Sequence, residues 1–321
     1  MPRPEVEALL SYLATADLPG VETQTPQQAR AGLRASIPAA DLPVGEIAVQ
    51  QKLSIPTRSG EIAGLLLDPR GNREPGPVVV WYHGGGFVTG DLDTHRGFAA
   101  EVARSLDLPV VLVDYRLAPE APYPAAVEDA EDAARWVASR PAVLGLQADA
   151  LVLGGDSAGG TLAIVTAMAL RDTAAELPVR AHIAIYPGTD LSRPYPSQQE
   201  FATGRVLTEA GLRWYYDHYR ADAHDWRASP LLGDLAGLPP AVVLTAGEDP
   251  VRDEGRAYAA ALVSAGVPTT FLEAAGNIHA FVLMRRAIPS TQQDLARAFA
   301  APATTLAAEH TTDAPAPGRT H

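Results

Sequence analysis

Short apolar runs rich in β-branched residues, Val78 to Tyr82, Val110 to Asp114, Leu151 to Gly154, His182 to Tyr186 and Ala241 to Thr245, alternate along this chain with stretches of helical character. A strand that is apolar on both faces must be covered on both, and strand-helix alternation supplies that cover through parallel crossovers. Further strands are expected at Glu46 to Ile55, Ile62 to Leu67 and Thr269 to Leu272, and helices near His95 to Leu106, Tyr123 to Ser139, Ser157 to Arg171 and Asp253 to Ala265. The last helix carries Tyr258, Ala261, Leu262 and Ala265 on one face and stops at Gly266, with Pro268 beyond. The pattern predicts an α/β three-layer sandwich.

Two of the runs end in glycine-rich turns. Val78 to Tyr82 leads into His83-Gly84-Gly85-Gly86-Phe87, and Leu151 to Gly154 leads into Gly155-Asp156-Ser157-Ala158-Gly159-Gly160. The second fits G-x-S-x-G, a sharp strand-to-helix turn that lifts a serine hydroxyl clear of the sheet. The first offers glycine backbone that can approach a reacting carbonyl closely, with N–H groups free to point at it. Singly, a glycine triplet is often only a turn, and G-x-S-x-G arises by chance. Both together, at strand ends and in this order, point to a serine hydrolase.

A serine hydroxyl attacks well only when an imidazole takes its proton, and the imidazole needs a carboxylate to fix its tautomer. Of eight histidines, His83, His95 and His182 come early or sit in a strand, His218 and His224 fall in the Leu191 to Leu238 stretch, and His310 and His321 fall in the tail. His279, behind the last strand, remains. Asp249 follows the Ala241 to Thr245 strand at the same sheet edge as Ser157, with Glu248 and Asp253 as the alternatives; Asp253 and Glu254 suit the first turn of the next helix. Oxyanion donors are expected from Ala158 and from Gly84, Gly85 and Gly86, with Gly85 favoured. His83, Asp156, Arg116 and Glu120 are read as bracing loops near the site.

The series HGGGF, then Asp114-Tyr115-Arg116-Leu117-Ala118-Pro119-Glu120, GDSAGG, Asp249-Pro250-Val251-Arg252-Asp253-Glu254 and a late His279 resembles the hormone-sensitive-lipase-type (bacterial family IV) esterases of the α/β-hydrolase superfamily, from about residue 45 to 300. Val251 stands where that family usually has leucine. The resemblance implies an α/β-hydrolase three-layer sandwich with a mostly parallel eight-stranded sheet and a helical cap, and ester hydrolysis by a Ser-Asp-His triad without metal or cofactor. It implies that residues 1–45 and 191–238 are cap, closing over a core made of 46–190 and 239–300. Phe87, Trp214 and Tyr215 are then candidates for the substrate pocket, and short acyl chains are the expected preference. Leu212, Tyr215, Tyr216 and Tyr219 form one helical stripe, which ordinary core packing explains equally well.

Composition narrows the partners. With 38 acidic and 25 basic residues the net charge is -13, which repels phosphate backbones and anionic lipid, so nucleic acid is excluded and a small-molecule ester is the expected partner. A homodimer is the one assembly left open. Zero cysteines exclude disulfides and thiolate chemistry. The amphipathic start around Val6, Leu9, Leu10 and Leu13 has no signal-peptide core, and no apolar run is long enough to insert stably in a membrane; the expected compartment is the cytoplasm. The tail from Ala301, residues 301–321, is expected to be mobile. An amide hydrolase with the same triad is the alternative activity, and a small-molecule receptor on a hydrolase fold is the alternative outside enzymology.

Overall fold

In the computed structural model, which describes residues 1–16 and 18–300, the strand β3 (Gly76–Tyr82) is buried on both faces. Val78, Val80 and Tyr82 point to one side, Val79 and Trp81 to the other, and each set belongs to a separate apolar cluster. The expectation for residues 301–321 lies outside the described residues.

Strand β3 sits inside an eight-stranded sheet with β1 (Val49–Thr57), β2 (Gly60–Asp68), β4 (Val110–Asp114), β5 (Ala148–Asp156), β6 (Val179–Ile185), β7 (Ala241–Glu248) and β8 (Thr269–Ile278). Their spatial order is β1-β2-β4-β3-β5-β6-β7-β8, with β2 antiparallel to both neighbours and every other pairing parallel. The chain winds one way from β3 to β4 and the other way from β5 onward. Ligands of open α/β sheets bind at such a reversal, outside the carboxyl ends of the strands. Both glycine-rich turns leave the sheet there.

The helices α4 (Ala125–Ala138), α5 (Ala158–Asp172) and α8 (Arg252–Ser264) cover one face, placing Ala130, Leu162, Tyr258 and Leu262 in the cluster of Val78 and Val80. The other face lies under α3 (Leu92–Leu106) and the helical stretch 291–300, through Phe98, Val102, Leu295 and Phe299. Helix α3 begins three residues before the expected His95, because Asp91 and Thr94 form a capping box, with Thr94 N–H on Asp91 Oδ1 at 2.8 Å and Asp91 N–H on Thr94 Oγ1 at 2.9 Å. Apolar periodicity starts later than the cap, and the cap sets the boundary. Outside the layers lie α1 (Pro4–Thr15) and α2 (Pro26–Ala40) from the start of the chain, and the one-turn α6 (Pro196–Glu200) and α7 (Glu209–Tyr219) from the 191–238 stretch.

Candidate active site

Strand β5 ends at Asp156 and α5 begins at Ala158, so the whole reversal falls on Ser157, at φ 54° and ψ −123°. A non-glycine residue held there costs on the order of 1–3 kcal/mol and survives only when its surroundings over-determine it. Two glycines provide that determination. A Cβ on Gly155 would strike the Gly159 carbonyl, and one on Gly159 would strike the Tyr82 and His83 carbonyls, so only glycine lets α5 start this close to β3. Ser157 N–H donates to the Ile185 carbonyl at 2.8 Å, fixing the turn from the neighbouring strand.

His279 follows β8 directly, and Asp249 follows β7. Ser157 Oγ lies 2.8 Å from His279 Nε2, and His279 Nδ1 lies 2.6 Å from Asp249 Oδ2. Asp249 is fully buried and its other oxygen accepts the Val251 N–H at 2.9 Å, so the carboxylate cannot swing away from the ring. The Tyr186 ring, centroid 4.6 Å from that of His279, backs the imidazole. The alternative acids are committed elsewhere: Glu248 pairs with Arg205 at 2.6 Å, and Asp253 pairs with Arg252 and Arg256 and accepts the Ser197 N–H.

Beside Ser157 the His83–Phe87 turn runs through Gly85 at φ 122° and Gly86 at φ 58°, both in the region that favours glycine. Gly85, Gly86 and Ala158 line the cavity in front of the serine. Ala158 opens α5, so its N–H has no carbonyl behind it in the helix, and the Gly85 and Gly86 amides donate to no protein acceptor among the described residues. Gly84 differs from the expectation: its N–H donates to His95 Nε2 at 3.2 Å and is unavailable to a substrate. The sequence could not reveal this, since His95 reaches Gly84 only from the first turn of α3.

The cavity measures about 350 Å³, and Leu33 and Ile37 of α2, Leu212 and Tyr215 of α7, Phe87 and Leu283 form much of its apolar wall. Tyr215 lies against Gly86, where any Cβ would collide with its ring, and Phe87 stacks on Tyr219 at 3.8 Å between centroids. Trp214 is a correction. Successive helix residues point about 100° apart, so with Tyr215 turned inward Trp214 faces away and packs on Tyr215 and His218, at centroid distances of 5.0 and 4.4 Å. The bracing groups have definite partners: Arg116 forks onto the buried Asp129, and Glu120 pairs with Arg30 of α2, which also donates to the Val88 and Ala118 carbonyls. His83 is fully buried and burial pushes it down to about 4, so it stays neutral. A wider cleft of about 750 Å³, between Arg70, Arg73 and Leu146, lies at the amino ends of β3, β4 and β5, away from Ser157.

The family model described as alpha/beta hydrolase fold matches residues 79–283. Esterase LipI of Mycobacterium tuberculosis is 41% identical over 232 residues, 70% of this chain and 72% of that protein. Ethyl acetate hydrolase of Pseudomonas putida is 38% identical over 250 residues, 76% of this chain and 79% of that protein. Among solved structures, an alpha/beta hydrolase enzyme from the metagenome of Lake Arreo superposes with a TM-score of 0.90 at 36% identity, covering 95% of this chain and 98% of that one. A thermostable esterase from Pseudomonas putida gives a TM-score of 0.90 at 30% identity, with 95% and 98% covered.

Proposed function

The chain belongs to the α/β-hydrolase fold family and is a carboxylic-ester hydrolase, and from that premise we propose that Ser157, His279 and Asp249 carry its chemistry on short to medium acyl esters. The observation that carries this is the unbroken Ser157–His279–Asp249 relay at 2.8 and 2.6 Å. Ser157 Oγ attacks the ester carbonyl carbon as His279 Nε2 takes its proton. Asp249 keeps the other ring proton on Nδ1 and stabilises the imidazolium that forms. Negative charge developing on the carbonyl oxygen falls to the amides of Gly85, Gly86 and Ala158, already in place before the reaction. The tetrahedral adduct collapses, His279 protonates the departing alkoxide, and the alcohol leaves an acyl group on Ser157. Water, deprotonated by the same imidazole, then releases the acid.

The 1–45 and 191–238 segments serve as the cap in this reading, since α2 and α7 wall the cavity while no reacting group comes from them. A cavity of about 350 Å³ lies at the small end of the roughly 300–1,000 Å³ that small-molecule sites span, which favours short and medium acyl chains. No helix among the described residues is long and apolar enough to cross a membrane. The test is a panel of aryl esters of increasing acyl length beside the matching anilide, run with wild type and Ser157→Ala. Short esters should turn over fastest, the anilide far more slowly, and Ser157→Ala should lose several powers of ten while folding normally. A folded Ser157→Ala protein with undiminished turnover would remove Ser157 from the role, and equal cleavage of the anilide would favour amide hydrolysis.

A further inference from the structure

His95 is fully buried next to the reacting groups, and the relay above does not use it. Its protonation state can be read from its partners. The Gly84 N–H donates to Nε2 at 3.2 Å, which requires that nitrogen's lone pair. Nδ1 therefore carries the ring proton. At the other end Thr94 Oγ1, 2.9 Å from Nδ1, accepts that proton while its own hydroxyl turns to the Asp91 carbonyl at 2.9 Å. The Gly84 amide imposes this neutral tautomer and the Thr94 hydroxyl fits it.

A second group competes for Nε2. Asp156 Oδ2 lies 3.4 Å from it, and this carboxylate sits so close to Gly84 that a Cβ there would strike it. The carboxylate also receives the Trp81 indole N–H at 3.4 Å on its other oxygen. A proton on Nε2 would destroy the acceptor for Gly84 and create a donor facing Asp156. One atom thus joins three parts of the site: the glycine turn, the residue preceding the nucleophile, and the start of α3.

We propose that His95 is a positioning residue for the oxyanion turn, holding Gly84 through its unprotonated Nε2. This rests on the reading of Ser157 as nucleophile and of Gly85 and Gly86 as oxyanion donors. With Gly84 fixed, the next two amides are aimed; with Gly84 loose, they lose their alignment while substrate still fits the apolar cavity. The charged and titratable groups around His95 are few. His83, with ring centroids 5.2 Å apart, is held neutral by burial; Asp156 is the facing anion; and Asp91, the cap of α3, is paired with Arg34 of α2. Asp114 lies beyond His83, 3.9 Å from its Nε2, and burial pushes it up to about 6.

Two variants and one spectroscopic readout test this. His95→Ala removes the acceptor. His95→Gln keeps an acceptor for Gly84. For a short aryl ester, His95→Ala should lower kcat by about ten- to a hundredfold with KM little changed, in line with losing aim at an oxyanion. It should weaken by a similar factor an aryl trifluoromethyl ketone, whose carbonyl carbon bonds Ser157 Oγ and whose oxygen takes the oxyanion position. His95→Gln should recover most of both. Nitrogen-15 shifts of labelled histidine, assigned by difference against His95→Gln, should show Nδ1–H with bare Nε2 at neutral pH. Unchanged kcat and ketone affinity in His95→Ala, or a proton on Nε2 at neutral pH, would each overturn the proposal. If His95→Ala does not fold, His95→Gln and the tautomer decide. The tautomer measurement needs no turnover, so it separates failure of this proposal from failure of the nucleophile assignment, which Ser157→Ala reads.

Discussion

The acid assignment divides two residues only four positions apart, and their surroundings separate them. Asp249 is fully buried with one oxygen on His279 and the other on the Val251 amide, whereas Asp253 is tied to Arg252, Arg256 and the Ser197 amide. We expect Asp249→Asn to lower kcat on the order of a thousandfold or more, because the amide favours the wrong imidazole tautomer and supplies no charge opposite the imidazolium. Asp253→Asn should cost less than tenfold and act through the fold around α8. Steady-state kinetics of the two variants on one aryl acetate decides it, and a larger loss at Asp253 would move the role. Ser157, Asp249 and His279 were legible because each is placed by chain order and by the end of a strand, which local pattern reveals. Gly84 was not. Whether an amide is free depends on what another element aims at it, and His95 is aimed by a capping box whose effect on Gly84 exists only after folding.

At the scale of elements, α7 separates two kinds of residue that the sequence grouped. Tyr215 faces the cavity and rests on Gly86, while Trp214 is 8% exposed and packs behind it. Tyr215→Ala should open the wall beside the oxyanion turn and raise the rate on longer acyl esters relative to the acetate by about tenfold, the scale of a methylene or two in an apolar pocket. Trp214→Ala should leave that ratio alone and instead cost about 3 kcal/mol of stability. A profile of kcat/KM against acyl length together with denaturant melts checks both, and a Trp214→Ala enzyme with altered chain preference would show that the face assignment is wrong. The stripe Leu212, Tyr215, Tyr216 and Tyr219 was readable from spacing; which neighbour lay on the far side of it followed from the helix phase relative to the cavity, and spacing alone does not set that phase. The resemblance put residues 1–45 in the cap, but which residues of α2 wall the site depends on how that helix packs: Leu33 and Ile37 line the cavity in front of Ser157.

For the whole molecule, the sheet was legible because its central strands are apolar on both faces, while the order β4-β3-β5 came from tertiary winding that no single strand encodes. That winding also buries charge-capable groups in opposing ways. His83 and His182 are fully buried and burial holds each down to about 4, against roughly 6.5 when unfolded. Between those values the unfolded chain binds more protons, so their contribution to stability is present above about 6.5 and is lost as pH falls towards 4. Glu254 works the other way. Burial, reinforced by Asp249 and Asp190, pushes it up to about 8, so the native state holds the extra proton and stability falls as pH rises from about 4.5 through 8. One of its oxygens accepts the Thr189 and Asp190 amides at 2.6 and 2.9 Å, and the other is buried with no hydrogen-bond partner among the described residues. Glutamine can keep its carbonyl on those amides and place its NH2 where the unpartnered oxygen lies. Glu254→Gln should therefore melt close to wild type at pH 5 and increasingly above it from pH 6 to 8.5, because it removes a carboxyl that the unfolded chain ionises and the folded site must keep protonated. Thermal melts across that range check the sign, and a constant offset at every pH would show that Glu254 does not titrate with folding.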